Sequence, residues 1–195
     1  MKILGLDTAL GACSAALAEN ETVLAARRQD MARGHAEALG IAIRALREAY
    51  RVPVWLVGTS RGAISAANAA TALSPPAAPD GVVLTSPVSA GLVAGSAARA
   101  SRPWVAHDVF GFPLGRIAMP LLVLGHAADS CRASPPANVE RIVEAAQASP
   151  RRQAMLLEGG PGSPPGDPLA CEGRSPHGFI GQDAEMAAAI LRFVR

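Results

Sequence analysis

A serine, an aspartate and a histidine in this chain, Ser60, Asp129 and His177, occupy places from which they could act together. A serine hydroxyl is a poor nucleophile until a base removes its proton, and that base is normally a histidine held by a carboxylate. Ser60 lies in Gly58-Thr59-Ser60-Arg61-Gly62, a G-x-S-x-G pattern. Val54-Trp55-Leu56-Val57 before it is apolar and rich in β-formers, and the stretch after it, Ala63 to Ala70, is rich in alanine. The flanks read strand, sharp turn, helix. Such a turn pushes the hydroxyl above the sheet, and the glycines let strand and helix approach where a Cβ would clash. The first N–H groups of the following helix point at the site, so the backbone N–H of Arg61 is a candidate donor to an oxyanion.

The other two residues follow from the elements that would carry them. Leu121 to Leu124 and Ala154 to Glu158 read as strands; Asp129 lies just past the first, and His177 in the loop after the second. Both loops leave the C-terminal ends of strands, at the same edge as the serine turn. Ahead of that turn, Lys2–Leu6, Ala12–Leu17 and Thr22–Ala26 read as an antiparallel meander with Glu19-Asn20-Glu21 as a turn. Met31 to Tyr50 reads as a helix, with Leu39, Ile43, Leu46 and Tyr50 spaced by three and four. Val82-Val83-Leu84 is a further apolar strand, Asn138 to Ala148 a helix, and Asp183 to Val194 a closing helix capped by Asp183. Ser86 to Pro113 is ambiguous, a loop or a cap over the site. Continuously apolar strands alternating with helices predict an α/β fold: a mostly parallel sheet with helices on both faces.

Composition narrows the function classes. Half of the 195 residues are hydrophobic and 17% are charged, which argues for one folded domain and against global disorder. The net charge is +2, the arginines are scattered and aromatics make up 4%, so neither a nucleic-acid footprint nor a base-stacking surface is expected. No uninterrupted apolar run is long enough to span a bilayer, and the N-terminus reaches Asp7 too soon for a signal-peptide core. A cytoplasmic location is the resulting expectation, and there Cys13, Cys131 and Cys171 would be thiols. Their spacing fits no zinc pattern, and no metal or cofactor is expected. A second outcome stays open for one pair. If the Asp129 and His177 loops meet, Cys131 and Cys171 come within the ~7 Å Cα separation that a disulfide needs. Of the other histidines, His126 reads as a structural or rim residue at a strand end, His107 as exposed, and His35 as a helix-face residue.

From about Ile41 to Arg195 the chain resembles the C-terminal part of a bacterial α/β-hydrolase. The likeness rests on Val54 to Gly62, Gly81-Val82-Val83-Leu84-Thr85-Ser86, Gly125-His126-Ala127-Ala128-Asp129-Ser130-Cys131-Arg132 and Ser175-Pro176-His177-Gly178-Phe179. It implies a truncated α/β-hydrolase fold with Ser60 as nucleophile, Asp129 as acid and His177 as base. It also implies cofactor-free hydrolysis of an ester or similar small acyl substrate. The first forty residues resemble a different family. Ile3 to Leu17 and Met31 to Leu39 look like the start of TsaB, the dimerisation subunit of the machinery that makes threonylcarbamoyladenosine on tRNA. That likeness implies a non-catalytic protein with a TsaD-type partner, or an inactive fusion, as the alternative to a hydrolase. The expected organisation is a TsaB-like segment at 1–40 and a hydrolase-like core at 41–195, forming one continuous domain and one continuous sheet in which Lys2–Leu6 lies beside the strand before Ser60.

A complete hydrolase takes its second oxyanion donor from a loop ahead of the serine strand. No His-Gly-Gly-type loop occurs here, and in a joined sheet Asp7-Thr8-Ala9 would stand beside Ser60. An ionised Asp7 there would repel a developing oxyanion, so impaired catalysis is expected.

Overall fold

The structure is a computed structural model, and it describes residues 2–7, 12–19, 22–30, 35–51, 53–91, 108–164 and 166–195. The N-terminal strands are β1 (Lys2–Asp7), β2 (Ala12–Glu19) and β3 (Thr22–Asp30), followed by helix α1 (His35–Tyr50). Then come β4 (Trp55–Thr59), α2 (Gly62–Ala72), β5 (Gly81–Thr85), β6 (Leu121–His126), α3 (Asn138–Ala145), β7 (Arg152–Leu157) and α4 (Asp183–Val194).

Strands β4 to β7 form a parallel sheet in sequence order. Sequential parallel strands with crossovers of one hand put every crossover on the same face. Packing agrees with this. Leu56, Val82, Leu84, Leu121 and Val123 face one core with Leu39 and Ile43 of α1, the buried alanines of α2, and Val139 and Ile142 of α3. The opposite residues, Val83, Leu122 and Leu124, face a second core closed by Phe179 and by Ala189 and Phe193 of α4. Strands β5 and β6 are buried along their whole length on both faces, which is why they are continuous apolar runs up to Thr85 and His126 at their ends. The C-terminal helix thus covers the face the crossovers leave open. There Trp55 meets Phe193 edge-on at 5.9 Å, and the Arg151 guanidinium sits 4.3 Å from the Phe193 ring centroid.

At the start of the sheet, α1 is tied to the strand entries. One Asp80 carboxylate oxygen accepts from the Val54 N–H at 2.7 Å and from Arg47 at 2.6 Å, and Arg47 also donates to the carbonyls of Pro76 and Ala78. These bonds set where β4 enters and therefore where its far end delivers Ser60.

Three expectations need correction. The sheet is not one continuous ladder: β1, β2 and β3 form their own antiparallel sheet. Strand β1 does come alongside β4. The meander pairs within itself, with β2 bonded on both edges, and no ladder joins β1 to β4 among the described residues. Asp183 does not cap the last helix. Gln182 holds that position without a side-chain cap bond, and Asp183 lies inside the first turn with Glu185, where both carboxylates face the positive end of the helix dipole. The helix after β6 stops at Ala145 rather than running to Ala148, because Ala146 leaves helical geometry at ψ 57°. The turn at Asn20-Glu21, the helix start at residues 31–34, Thr8-Ala9 and His107 lie outside the described residues.

Candidate active site

The serine turn is built from two local features. Ser60 adopts φ 53°, a left-handed conformation that a non-glycine residue holds only where its surroundings enforce it. Gly58 lets the elbow close: a Cβ there would lie 2.7 Å from the Gly62 carbonyl oxygen, 2.8 Å from the Ala66 Cβ and 2.9 Å from the Ala63 Cα. The alanine-rich face of α2 serves the same close approach. Gly58→Ala should therefore cost about 1–3 kcal/mol by overpacking, read as a lower melting temperature. An unchanged melting temperature would show that the elbow tolerates a wider strand–helix gap.

Asp129 follows the end of β6 in a tight turn, in which its N–H donates to the His126 carbonyl at 3.0 Å. His177 sits in a single 3-10 turn, Pro176–Gly178. The Ser175 hydroxyl shapes this turn by accepting from the His177 N–H at 3.2 Å while lying 2.8 Å from the Ala170 and Glu172 carbonyls, to which it donates. Gly178 permits the return of the chain, since a Cβ there would collide with the Gly173 backbone.

These elements bring the three side chains together. His177 Nδ1 is 2.8 Å from Asp129 Oδ2, and His177 Nε2 is 2.9 Å from Ser60 Oγ. Asp129 Oδ1 accepts the Cys131 N–H at 2.8 Å. A carboxylate can only accept, so His177 carries its proton on Nδ1; the lone pair on Nε2 then faces the Ser60 hydroxyl. The Asp129 and His177 side chains are 2% and 3% exposed. In such surroundings a hydrogen-bonded charge is poorly screened by water, and the pair holds its geometry. The Ser60 N–H is spent on the Thr85 carbonyl at 2.9 Å. Among the described residues the Arg61 N–H at the start of α2 makes no backbone hydrogen bond and remains available to an oxyanion.

His126 has a different role. Its Nδ1 accepts from the Ala128 N–H at 3.0 Å, so Nε2 carries the proton and donates to the Gly159 carbonyl at 3.1 Å. Both nitrogens are committed, and the ring pins the β6 and β7 loops together. Cys131 and Cys171 are joined as a disulfide with Cα atoms 4.7 Å apart. The two loops do meet, and the thiol expectation is overturned for this pair. Ligand atoms of Asp129, Cys131 and His177 lie within 4.8 Å of one another. Each is already engaged, the sulfur in the disulfide and the other two with each other. Among the described residues no helix is long and apolar enough to cross a membrane.

Two residues that hold the site were not singled out by sequence reasoning as having a role. Ser175 orders the base turn, and Ser86 donates its hydroxyl to the His177 carbonyl. Ser175 followed by Pro176 is the cap-then-proline pattern that starts a helical turn, a local signal that could have found it, whereas Ser86 acts on a carbonyl 91 residues away, which no local pattern marks.

Among solved structures, the chain is similar to a monoacylglycerol lipase from Paleococcus ferrophilus, 20% identical over 84% of this chain and 77% of that one, with a TM-score of 0.49. It is also similar to the apo form of Thermogutta terrifontis esterase 2, 18% identical over 64% of this chain, with a TM-score of 0.48. It spans about half, 53%, of that esterase. YeaZ from Pseudomonas aeruginosa, a TsaB-like protein, is 22% identical over 65% of this chain and 45% of its own, with a TM-score of 0.25. Solved structures of both kinds suggested by the sequence are therefore among those the chain is similar to. No family model matches the chain, and no curated protein matches it.

Proposed function

We propose that this protein is a serine hydrolase acting on an ester or similar small acyl substrate. The observation that carries the reading is the unbroken hydrogen-bonded chain from Asp129 through His177 to Ser60. In this mechanism Ser60 Oγ attacks the acyl carbonyl carbon while His177 Nε2 takes its proton. Asp129 stays ionised and balances the imidazolium. The tetrahedral oxyanion receives the Arg61 N–H. His177 then returns the proton to the leaving oxygen, and the acyl-serine ester forms. Water, deprotonated by the same histidine, releases the acid and restores Ser60. No step uses a metal or cofactor.

The test is covalent labelling by a fluorophosphonate probe, with Ser60→Ala as control. Labelling that disappears in the control supports the reading; a well-folded protein that never labels overturns it.

Turnover is expected to be weak. Arg61 supplies one donor, and no His-Gly-Gly-type loop, from which a complete hydrolase takes a second, occurs in the sequence. Lacking one oxyanion donor costs about 10²–10³ in turnover. Hydrolysis of p-nitrophenyl acetate at rates typical of complete esterases would contradict this expectation.

A second reading draws on the N-terminal meander, which pairs as a sheet of its own. It makes the chain a TsaB-like, non-catalytic partner in tRNA threonylcarbamoyladenosine modification. Stable binding to a TsaD-type protein together with an unlabelled Ser60 would favour it.

A further inference from the structure

Ser86 is the first residue past β5, and it is buried, at 2% exposure. Its backbone holds φ 40°, in the left-handed region where a side chain is strained and glycine is at ease. A glycine would make this turn out of the sheet without strain, so the presence of a serine calls for a use of its hydroxyl. That use is visible: Ser86 Oγ donates to the His177 carbonyl at 2.7 Å, across 91 residues of sequence.

The surrounding bonds show what this contact achieves. The Ser86 N–H donates to the Leu124 carbonyl at 2.7 Å, fixing it to β6. The Ser86 carbonyl accepts from Ser134 Oγ at 3.0 Å, in the loop that follows Asp129. Its neighbour Thr85 accepts the Ser60 N–H through its carbonyl at 2.9 Å and pairs its hydroxyl with Thr59 at 2.7 Å. One dipeptide therefore touches the nucleophile turn, the acid loop and the base turn. Phe179 anchors the end of the base turn in the second core, but among the described residues the turn's backbone meets the sheet edge only through the Ser86 hydroxyl. It stands in the irregular chain between β7 and α4, and its own Ser175 bond shapes the turn without registering it to the sheet.

We propose that Ser86 is a positioning residue: its hydroxyl sets the height of the His177 turn over the sheet so that Nε2 meets Ser60 Oγ while Nδ1 stays on Asp129. This rests on the hydrolase reading for its effect on rate, but not for its effect on the position of the ring. A misplacement of the order of 1 Å costs about 10²-fold where reacting groups must be aligned.

Ser86→Gly and Ser86→Ala both remove the hydroxyl and leave the buried His177 carbonyl without its donor; the glycine variant also relieves the backbone strain and is expected to melt higher than Ser86→Ala. Two readouts are needed. The first is the kcat and KM for an activated ester. The second is the downfield proton resonance of His177 Nδ1–H in the imidazole–carboxylate bond, which needs no turnover. Both variants should lose about 10–10²-fold in kcat with KM within about twofold, and the Nδ1–H resonance should broaden or vanish. If Ser86→Gly keeps both the wild-type kcat and an unchanged resonance, the proposal is wrong. Should Ser86→Ala fail to fold, Ser86→Gly carries the test alone. Should the wild type neither label with the fluorophosphonate nor turn over the ester, the hydrolase reading falls, and the resonance decides for Ser86: unchanged in Ser86→Gly it overturns the proposal, lost it supports it.

Discussion

Asp129→Asn should lower turnover on an activated ester by about 10⁴ while leaving the fold intact, the scale of a triad forced into the wrong tautomer. The direction follows from two bonds. Oδ1 accepts the Cys131 N–H, so an asparagine would turn its carbonyl to that side. Its amide would then point hydrogens at His177 Nδ1, where Oδ2 now accepts at 2.8 Å. Nδ1 would have to become the acceptor, Nε2 would carry the proton, and Ser60 would lose its base. Shape and packing would barely change, so melting temperature and activity should separate. An Asp129→Asn variant with turnover within about tenfold of wild type would mean that His177 is oriented by something else.

The second large effect concerns the disulfide. Cys131 lies two residues beyond the acid and Cys171 six before the base, and the bridge closes a loop with a sequence separation of 40. Chain-entropy arguments give a loop of this length about 4 kcal/mol of stabilisation. For a domain of this size that is about 8–16 °C in melting temperature. Melting with and without dithiothreitol, beside a Cys131→Ser/Cys171→Ser double variant, measures it. Reductant should lower the wild type to the level of the double variant and leave the double variant unmoved. If reductant moves neither, the bridge is absent from the protein in solution. The bridge also bears on where the protein works, because a reducing compartment would hold the pair as thiols.

The convergence of the three candidate side chains was legible in the chain. The elbow could be read because its requirements are local: an apolar β-rich run, a glycine where strand and helix touch, and a small-residue helix behind it. Asp129 and His177 could be read from chain order and from their places past strand ends, because parallel strands deliver their following loops to one edge. The closeness of Cys131 and Cys171 followed from the same topology. Whether they would be bonded did not, since compartment reasoning pointed to thiols.

What the sequence determined by itself was the set of elements and the edge at which the reactive groups meet, because hydrophobic periodicity and turn chemistry act over a few residues. What only the tertiary structure decided was everything transmitted through the backbone between distant segments. The meander kept its hydrogen bonds to itself although β1 lies against β4. The last helix took its start from Gln182 rather than from the better capping residue beside it. Ser86 became the link between three loops through one hydroxyl and one carbonyl. Backbone donors and acceptors are the same at every residue, so which of them find each other is set by how the layers pack.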